Sequence, residues 1–400
     1  MKKLSTILFV TILISLFSGC NAAQNPYVKF EYREIDPASG HVEIADVDND
    51  GKNDVVLVGN GTFAWFKYEN EKTFKKSVII TGAKFSSDRI AIGDIDKDGD
   101  IDIVTGCRKD KKYYTYWLEN PLPAASPDTP GSWKMHEVGA NTDYLKDIII
   151  KDFDKDNKPD IVVRQHHDTI LFLQKSPTEW INARVLEHES HEGMDVADLD
   201  NDGDPDIVLN GFWFETPDDV VNGTFKKHII DKLWFTPVDK TWRDNNSVVK
   251  VADINGDGLC DILLCSSELP GFPISAYIAS SLEDIKQDKW KETQIEKVFD
   301  YCQTLDAADI DGDGDVDVVA GKFERQVEPR NPQWTNYPPF PVVIYYNENG
   351  KGTQWGKQKL SDEGVYSGVL GDVGSDGDID FISSRSYWTG PIKLWENKIH

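Results

Sequence analysis

Sulfur, positive charge and long apolar runs are all scarce in this sequence, and each scarcity removes a class of protein from consideration. Five cysteines among 400 residues cannot frame a disulfide-dense scaffold. Basic residues number 43 against 69 acidic ones, for a net charge of −26. No basic stretch carries interleaved aromatics, so nucleic acid is not the expected partner. The apolar stretch from Leu4 to Phe17 is too short for a spanning helix. Missing as well are a serine-nucleophile elbow, a phosphate-binding loop, a dinucleotide fingerprint and a zinc-protease helix.

What the sequence has in their place is a nonapeptide written seven times, in its fullest form DIDGDGDVD from Asp309 to Asp317. The copies begin at Asp46, Asp94, Asp152, Asp198, Asp253, Asp309 and Asp372, so the spacings are 48, 58, 46, 55, 56 and 63 residues. Oxygen-bearing side chains fall at positions one, three, five and nine, with a glycine usually at six. That pattern gives a hard cation several carboxylates on a loop tight enough to need a permissive backbone. Carboxylates ~4 Å apart repel by about 4 kcal/mol per pair at an effective dielectric near 20, so a cation is expected among them. The expected calcium ligands are Asp46, Asp48, Asp50 and Asp54 in the first loop and Asp94, Asp96, Asp98 and Asp102 in the second. The third offers Asp152, Asp154, Asp156 and Asp160, and the fourth Asp198, Asp200, Asp202 and Asp206. The fifth offers Asp253, Asn255, Asp257 and Asp261, and the sixth Asp309, Asp311, Asp313 and Asp317. The seventh has only Asp372, Asp376 and Asp380, because Gly374 stands at position three, and should be the weakest of up to seven calcium sites. These positions hold 26 of the acidic side chains, which accounts for much of the charge. In the third loop Asn157 takes the glycine position, which asparagine tolerates.

Each loop is followed by a strand-like run such as DVVLV or DIVVR and preceded by an apolar alternation such as HVEIAD. No bidentate glutamate follows at position twelve, so these are not helix-flanked loops but tight connections between β-strands. An aromatic followed five residues later by an aliphatic marks seven outer strands, at Phe30/Ile35, Phe74/Ile79, Trp133/Val138, Trp180/Val185, Phe225/Ile230, Trp290/Ile295 and Trp355/Leu360. The first of these precedes the first loop, while the last repeat ends near IKLWENK with one strand too few. Residues 28–35 are therefore expected to complete the last sheet and close a ring, which removes exposed edges. The expected fold is all-β, a seven-bladed β-propeller over residues 27–400 closed by an N-terminal strand. Residues 1–19 read as a signal peptide and 20–26 as a tether. Leu-Phe-Ser-Gly-Cys resembles a bacterial lipobox with Cys20 as the lipidated residue, and cleavage a little later with free secretion is the alternative. Either way the chain is expected to be exported, with its only membrane contact through that lipid, to a cell envelope whose calcium suits such loops.

The repeat resembles the FG-GAP or VCBS family, whose seven-fold members include the integrin α-subunit head, and the resemblance covers nearly all of the mature chain. The third-strand endings YEN (Tyr68 to Asn70), WLENP (Trp117 to Pro121), FETP (Phe214 to Pro217) and WEN (Trp395 to Asn397) further resemble secreted bacterial propellers related to aldos-2-ulose dehydratase and to some polysaccharide lyases.

If the Asp-rich loops occupy one face, ligand chemistry belongs to the other. Toward that face the inner strands are expected to send His41, Glu43, Arg89, Lys146, Asp147, His191, Glu192, Asp195, Lys250, Gln303, Asp306 and Tyr366. The second-to-third connections add Arg108, Lys109, His166, His167, Asp168, Arg325, Arg330, Arg385 and Tyr387. Long insertions at 231–246 and 322–341 add Trp234, Phe235, Trp242, Arg243, Trp334, Tyr337 and Phe340, aromatics and cations of the kind that hold a sugar ring. The Pro-rich insertion 121–132 lies toward the Asp-loop side. His136 and His228, mid-strand on outer strands, read as exposed bystanders. Cys265 and Cys302 lie near the same face and either pair or remain thiols.

Two functions from different classes follow. One is carbohydrate elimination by a lyase or dehydratase, in which His191 or His41 removes a carbon-bound proton, Tyr366 protonates the leaving oxygen, and Arg89, Arg108 or Arg385 stabilises enolate-like charge. His166, His167 and His191 could instead hold a transition metal for that stabilisation, with Glu192 nearby. The other is a non-catalytic module that captures glycans or partner proteins, which includes structural adhesion. The expected partner is a polysaccharide or oligosaccharide, with a partner protein as the alternative for the non-catalytic module and no small-molecule site if the role is structural adhesion, and the oligomeric state is open.

Overall fold

Runs of β-branched and apolar residues directly after the Asp-rich loops form strands that are buried along nearly their whole length, such as Asp54–Gly59, Asp160–Arg164 and Asp261–Ser266. Burial on both faces is what a strand inside a packed blade requires. The computed structural model describes residues 27–400 apart from 60–61, 82–88, 190, 239, 242, 324–337, 386–389 and 400. Within them the chain forms seven four-stranded sheets. Six follow chain order from inner to outer strand, and all the pairings described are antiparallel. The inner strands are His41–Ala45, Ala91–Gly93, Asp147–Lys151, Met194–Ala197, Ser247–Ala252, Cys302–Ala308 and Ser367–Gly371.

The seventh sheet is assembled from both ends of the chain. Its strands run, from outside inward, Phe30–Asp36, Ile392–Asn397, Asp380–Ser384 and Ser367–Gly371. Tyr32 faces Trp395 and Arg33 faces Leu394 across the first pair, and Arg33 also forms an ion pair with buried Glu396.

Seven hydrophobic clusters lie between neighbouring blades rather than within them. One joins blades one and two around Trp65 and Ile103, and another joins blades two and three around Trp117 and Ile161. The cluster joining blades seven and one packs Val42, Val55 and Leu57 against Ile382, Ile392 and Leu394. Each sheet thus buries both faces against its neighbours, and the ring has no end at which an apolar face is left uncovered. Cys265, at the end of one second strand, is disulfide-bonded to Cys302 at the start of the next blade's inner strand, while Cys107 and Cys260 take no part in a disulfide among the described residues.

Two outer-strand histidines are not the exposed bystanders that the sequence suggests. His228 is 2% exposed, stacked on Trp213 with centroids 4.2 Å apart, and held by Glu215 and Asp288 at 2.7 and 2.8 Å. His136 repeats the arrangement on Trp117 and Glu119, half-buried. An indole face directly across the strand pair and a carboxylate two residues further along the neighbouring strand explain why a polar ring is stable there.

Removing residues up to 36 leaves the strand Ile392–Asn397 as an open edge and strips the cover from part of the blade seven to blade one cluster. The truncated protein is expected to melt at least several degrees lower than the full chain and to associate, read by thermal melting and size-exclusion chromatography. An unchanged midpoint and elution volume would show that this strand does not hold the ring.

Candidate functional site

The Asp-rich loops all fold the same way, for reasons visible in their backbone. Position six has positive φ in every copy, from 64° at Asn157 to 97° at Gly377, and position four does too, including Asn49, Lys97, Lys155 and Asn201 at 56–63°. Two left-handed residues curl the loop so that the first Asp accepts from the amides of positions five and six, as Asp46 does from Asp50 and Gly51 at 3.1 and 2.8 Å. The ninth Asp is buried and has a second task. In the first loop, Asp54 Oδ2 accepts from Val47 N at 3.2 Å and from Trp65 Nε1 at 2.9 Å, and Oδ1 accepts from Tyr68 N at 2.7 Å. Asp102, Asp160, Asp206, Asp317 and Asp380 likewise bind both the position-two amide and the amide at the end of the third strand.

Five loops bring three carboxylate oxygens within 4.8 Å of one another: Asp46/Asp48/Asp50, Asp94/Asp96/Asp102, Asp152/Asp154/Asp160, Asp198/Asp200/Asp206 and Asp309/Asp311/Asp317. Buried oxygens of Asp48, Asp96, Asp154, Asp200 and Asp309 have no hydrogen-bond partner among the described residues. A buried carboxylate oxygen left unmatched beside two others is what a cation would satisfy, so these residues fit a divalent metal. The fifth and seventh loops do not form such a triad of carboxylates. Asn255 turns its amide onto Asp257 at 2.9 Å. In the seventh, Gly374 lies so close under the Tyr68 ring that a Cβ there would sit 2.5 Å from it, and the loop is instead tied to blade one by Asn53, whose Nδ2 donates to Asp372 O at 2.8 Å and whose carbonyl accepts from Gly374 N at 2.9 Å.

At the opposite ends of the inner strands a small polar pocket of about 30 Å³ takes a residue from every blade: His41, Arg89, Lys146, Asp147, Glu192, Gly193, Ser247, Val248, Gln303, Tyr366 and Ser367. The strands therefore separate this mouth from the Asp-rich loops, since a five-residue strand such as His41–Ala45 spans about 15 Å. Next to the pocket a channel of about 300 Å³ is lined by Glu43, Arg89, Asp147, Asp195, Lys250 and Asp306 among others. Much of its charge is matched across blade junctions. Arg89 Nε lies 3.2 Å from Asp147, Lys146 Nζ 3.5 Å from Glu192, and Lys250 Nζ 2.8 Å from Asp306. Asp147, Asp195 and Asp306 each also accept a backbone amide from the following blade, those of Gly193, Val251 and Leu370, at 2.8–2.9 Å. Burial opposes ionisation of Asp147 and Asp195 and raises both. Asp306 lifts Lys250 above the ordinary lysine value, and for Arg89 the cost of burial, the largest single influence, is outweighed only by Asp147, Tyr366, Glu192 and Glu43 together.

Of the residues expected at this face, His41, Arg89, Glu192 and Tyr366 line the pocket. His41 is enclosed, with Nε2 2.7 Å from Glu43 and Nδ1 2.7 Å from Ser367 Oγ, so it orients neighbours and is a poor candidate for a free base. Tyr366 is close enough to Arg89 to interact with its charge and lies against Phe323. His166, His167 and His191 gather at the rim where blades three and four meet, with ring centroids 5.1–6.3 Å apart. Gly193, two residues on, has φ of 98°, and a Cβ there would stand 2.4 Å from Ser247 O. No other residue fits between those strands.

Several expected binding residues lie elsewhere. Trp234 is 3% exposed, packed against Trp213 and Tyr277 and donating to the Tyr277 hydroxyl at 2.8 Å. It anchors its loop rather than offering a face to a sugar. Arg243 and Phe340 are buried for the same purpose, Arg243 donating to Glu268 O. Arg108 and Lys109 sit on an exposed hairpin, Arg108 over the Tyr113 ring, and neither lines the pocket. Arg385 follows the strand Asp380–Ser384, near Glu363, and does not line the pocket either. Trp242, Trp334, Tyr387 and Cys20 lie outside the described residues. Reading the sequence missed Asp143, whose Oδ2 is 2.7 Å from His166 Nδ1, and buried Gln165, which braces the hairpin carrying His166 and His167. Asp143 precedes an inner strand at a place where polar residues are ordinary, so nothing in the pattern marks it.

Burial pushes the ninth-position carboxyls up, to about 6 at Asp54, about 7 at Asp160, Asp261 and Asp317, and about 8 at Asp102, Asp206 and Asp380. A folded-state value above the unfolded one means that the metal-free fold holds more protons, so its stability falls as pH rises from about 4 to about 8. In chelator the melting midpoint is expected to drop across that window. A divalent cation, which favours the ionised form, should raise the midpoint most at the upper end. A midpoint independent of pH in chelator would contradict this.

A family model for the FG-GAP-like repeat matches residues 46–105 and 152–209. Among solved structures, the fold is similar to that of an Agrocybe aegerita lectin described by its specific recognition of non-reducing terminal N-acetylglucosamine, at 16% identity and a TM-score of 0.50, covering 85% of this chain and 82% of that one. It is similar also to BBS1N, solved in complex with ARL6DN, at 10% identity and a TM-score of 0.54 over 91% of this chain and 95% of that one. No curated protein matches the chain. With seven four-stranded sheets set in a ring, the chain is a seven-bladed β-propeller whose first four Asp-rich loops lie in segments that match FG-GAP-like repeats.

Proposed function

We propose that this protein is an exported, calcium-loaded propeller that takes carbohydrate into the mouth opposite its Asp-rich loops and cleaves or dehydrates it by elimination. The observation that carries the reading is the pocket to which every blade contributes a residue, with Arg89, Lys146, Glu192, Gln303 and Tyr366 on its wall. Converging donors and acceptors suit a polyhydroxylated ligand, and the two cations suit its carboxylate. In the reaction a proton leaves the carbon beside a uronic carboxylate, its electron pair becomes a carbon–carbon double bond, and the oxygen one carbon further on departs with a proton. Because both nitrogens of His41 are engaged, proton transfer falls to Tyr366. The charge of Arg89 favours the phenolate that accepts the proton, and the phenol so formed returns it to the leaving oxygen.

The test is incubation with uronic and keto-sugar oligosaccharides while ultraviolet absorbance is followed for the new double bond. Tyr366→Phe is expected to lose about 10²–10⁴-fold in rate with substrate binding retained, and Arg89→Ala to weaken binding as well. The similarity to a lectin supports a second reading, capture without turnover. It would replace the first if oligosaccharides bound at this mouth and no unsaturated product formed.

Calcium is the ion we assign to the Asp-rich loops, because their donors are all hard oxygens and their geometry is a flexible loop. Five ions are expected rather than seven. Calcium titration should therefore saturate near five equivalents, Asp311→Asn should lower the calcium-dependent rise in melting temperature, and Asp376→Asn in the seventh loop should leave it unchanged. Equal effects at both positions would mean that the seventh loop holds an ion too. A lipid on Cys20 would place the whole assembly at the envelope, and fractionation of cells carrying Cys20→Ser reads that anchor directly.

A further inference from the structure

We propose that His166, His167 and His191 form a site for one divalent transition-metal ion, with zinc as the first choice, at the rim of the mouth between blades three and four. The inference stands apart from the carbohydrate reading, since it concerns the ion alone. Three imidazoles on one tetrahedral ion, each nitrogen ~2.0–2.1 Å from the metal, set ring centroids about 5 Å apart. The separation of His167 and His191 is 5.1 Å, and those of His166 from His191 and His167 are 6.2 and 6.3 Å. The rings are steeply inclined, at 72°, 85° and 48°, so none is stacked in a way that hides its edge from the others. Their ring nitrogens are not gathered within 4.8 Å of one another, so the ion would have to draw them in by rotation of the side chains, which their partial exposure permits.

The surroundings are those of a prepared ligand set. Asp143 Oδ2 lies 2.7 Å from His166 Nδ1. A carboxylate there fixes the proton on Nδ1 and presents Nε2 as the donor, the outer arrangement that metal-bound histidines commonly have. The hairpin bearing His166 and His167 is closed by Gln165 N donating to Asp168 O at 2.9 Å. Its buried Gln165 side chain accepts from Asp143 N at 2.5 Å and donates to Asp168 Oδ1 at 2.6 Å. His191 is held by its own amide, which donates to Asn245 O at 3.0 Å. Two residues on, buried Arg164 donates to Gly193 O and, at 3.2 Å, to Asn210 Oδ1. The three rings thus project from braced backbone on two blades.

Donor chemistry separates this site from the loops on the other face. Imidazole nitrogens select zinc, copper or nickel, whereas all-oxygen loops select calcium or magnesium. Three protein ligands leave a fourth position for water or substrate, and Glu192, adjacent to His191, lines the pocket, so the ion would border the ligand space.

The experiment is calorimetric titration of metal-stripped full-length protein with zinc chloride in saturating calcium, paired with cobalt substitution read by visible absorption. One zinc equivalent and a tetrahedral cobalt spectrum are expected. His191→Ala and the double variant His166→Ala/His167→Ala should each lose at least about 100-fold in affinity, and Asp143→Asn about 10–100-fold, all with the calcium-loaded melting midpoint kept. Zinc binding that survives His191→Ala unchanged, or that calcium abolishes, would overturn the proposal. So would the absence of both binding heat and a cobalt spectrum in the intact protein. Because no sugar is present, these outcomes are independent of whether elimination occurs.

Discussion

A buried carboxylate at the ninth position of each Asp-rich loop is the constraint on which the remainder of the ring rests. One oxygen takes the amide at the start of the loop and, in six of the seven blades, the other takes the amide at the end of the third strand, as with Asp160 on Phe153 and Gln174. A single side chain thereby fixes the spacing of three strands in its blade. Its partners then reach further. Asn120, Gln174, Asn347 and Asn397, each at the end of a third strand, donate their amides to the position-two carbonyl in the preceding blade's loop, at 2.8–2.9 Å. What looks like a metal loop is equally the hub that sets the angle between neighbouring sheets. A carboxylate so placed cannot be charged cheaply in an apolar setting, and that is why its acidity weakens on burial and why a cation beside it stabilises the fold.

The same logic explains why polar residues line the channel without all being functional. Asp147, Asp195 and Asp306 recur on inner strands of blades three, four and six, and each accepts an amide from the blade that follows. They do around the channel what the ninth aspartates do around the loops, and their neighbours Arg89 and Lys250 offset their charge. Glu192 and Gln303 are tied across junctions in the same manner, Glu192 to Lys146 and Ser267 and Gln303 to Glu268, so polarity at the mouth has a structural role before any functional one.

The ring was legible because its signals are periodic: a nonapeptide seven times over, an aromatic and an aliphatic five apart, and a strand too few at the end. Each is a local pattern with one physical solution, and the pairing of Phe30–Asp36 with Ile392–Asn397 is that solution in space. The direction of the inner strands carried the prediction one step further and put His41, Arg89, Glu192 and Tyr366 in one pocket. The failures share a different cause. Trp234, Arg243 and Phe340 were read as ligand-facing because they sit in a long insertion rich in aromatics, yet such an insertion must first be held down, and large apolar or planar groups do that best. His228 looked exposed because alternation was counted along an outer strand, while burial there is decided by Asp288 and by the indole beneath it. Side-chain partners contributed by distant segments leave no trace in local spacing.

Separation of the two faces is what allows two kinds of donor to coexist in one strongly acidic chain. Were the histidines on the loop side, the surrounding carboxylates would raise their affinity for protons and draw any bound metal into competing oxygen sites. Strands about 15 Å long place the two sets well beyond a screening length of about 8 Å at physiological salt. At the mouth, moreover, acids such as Asp147 and Glu192 have basic partners. The negative potential of the loops therefore does not reach the rim undiminished, and a chain of strongly negative net charge keeps a mouth that does not share it. Concentrating carboxylate on one side leaves the other side with balanced charge.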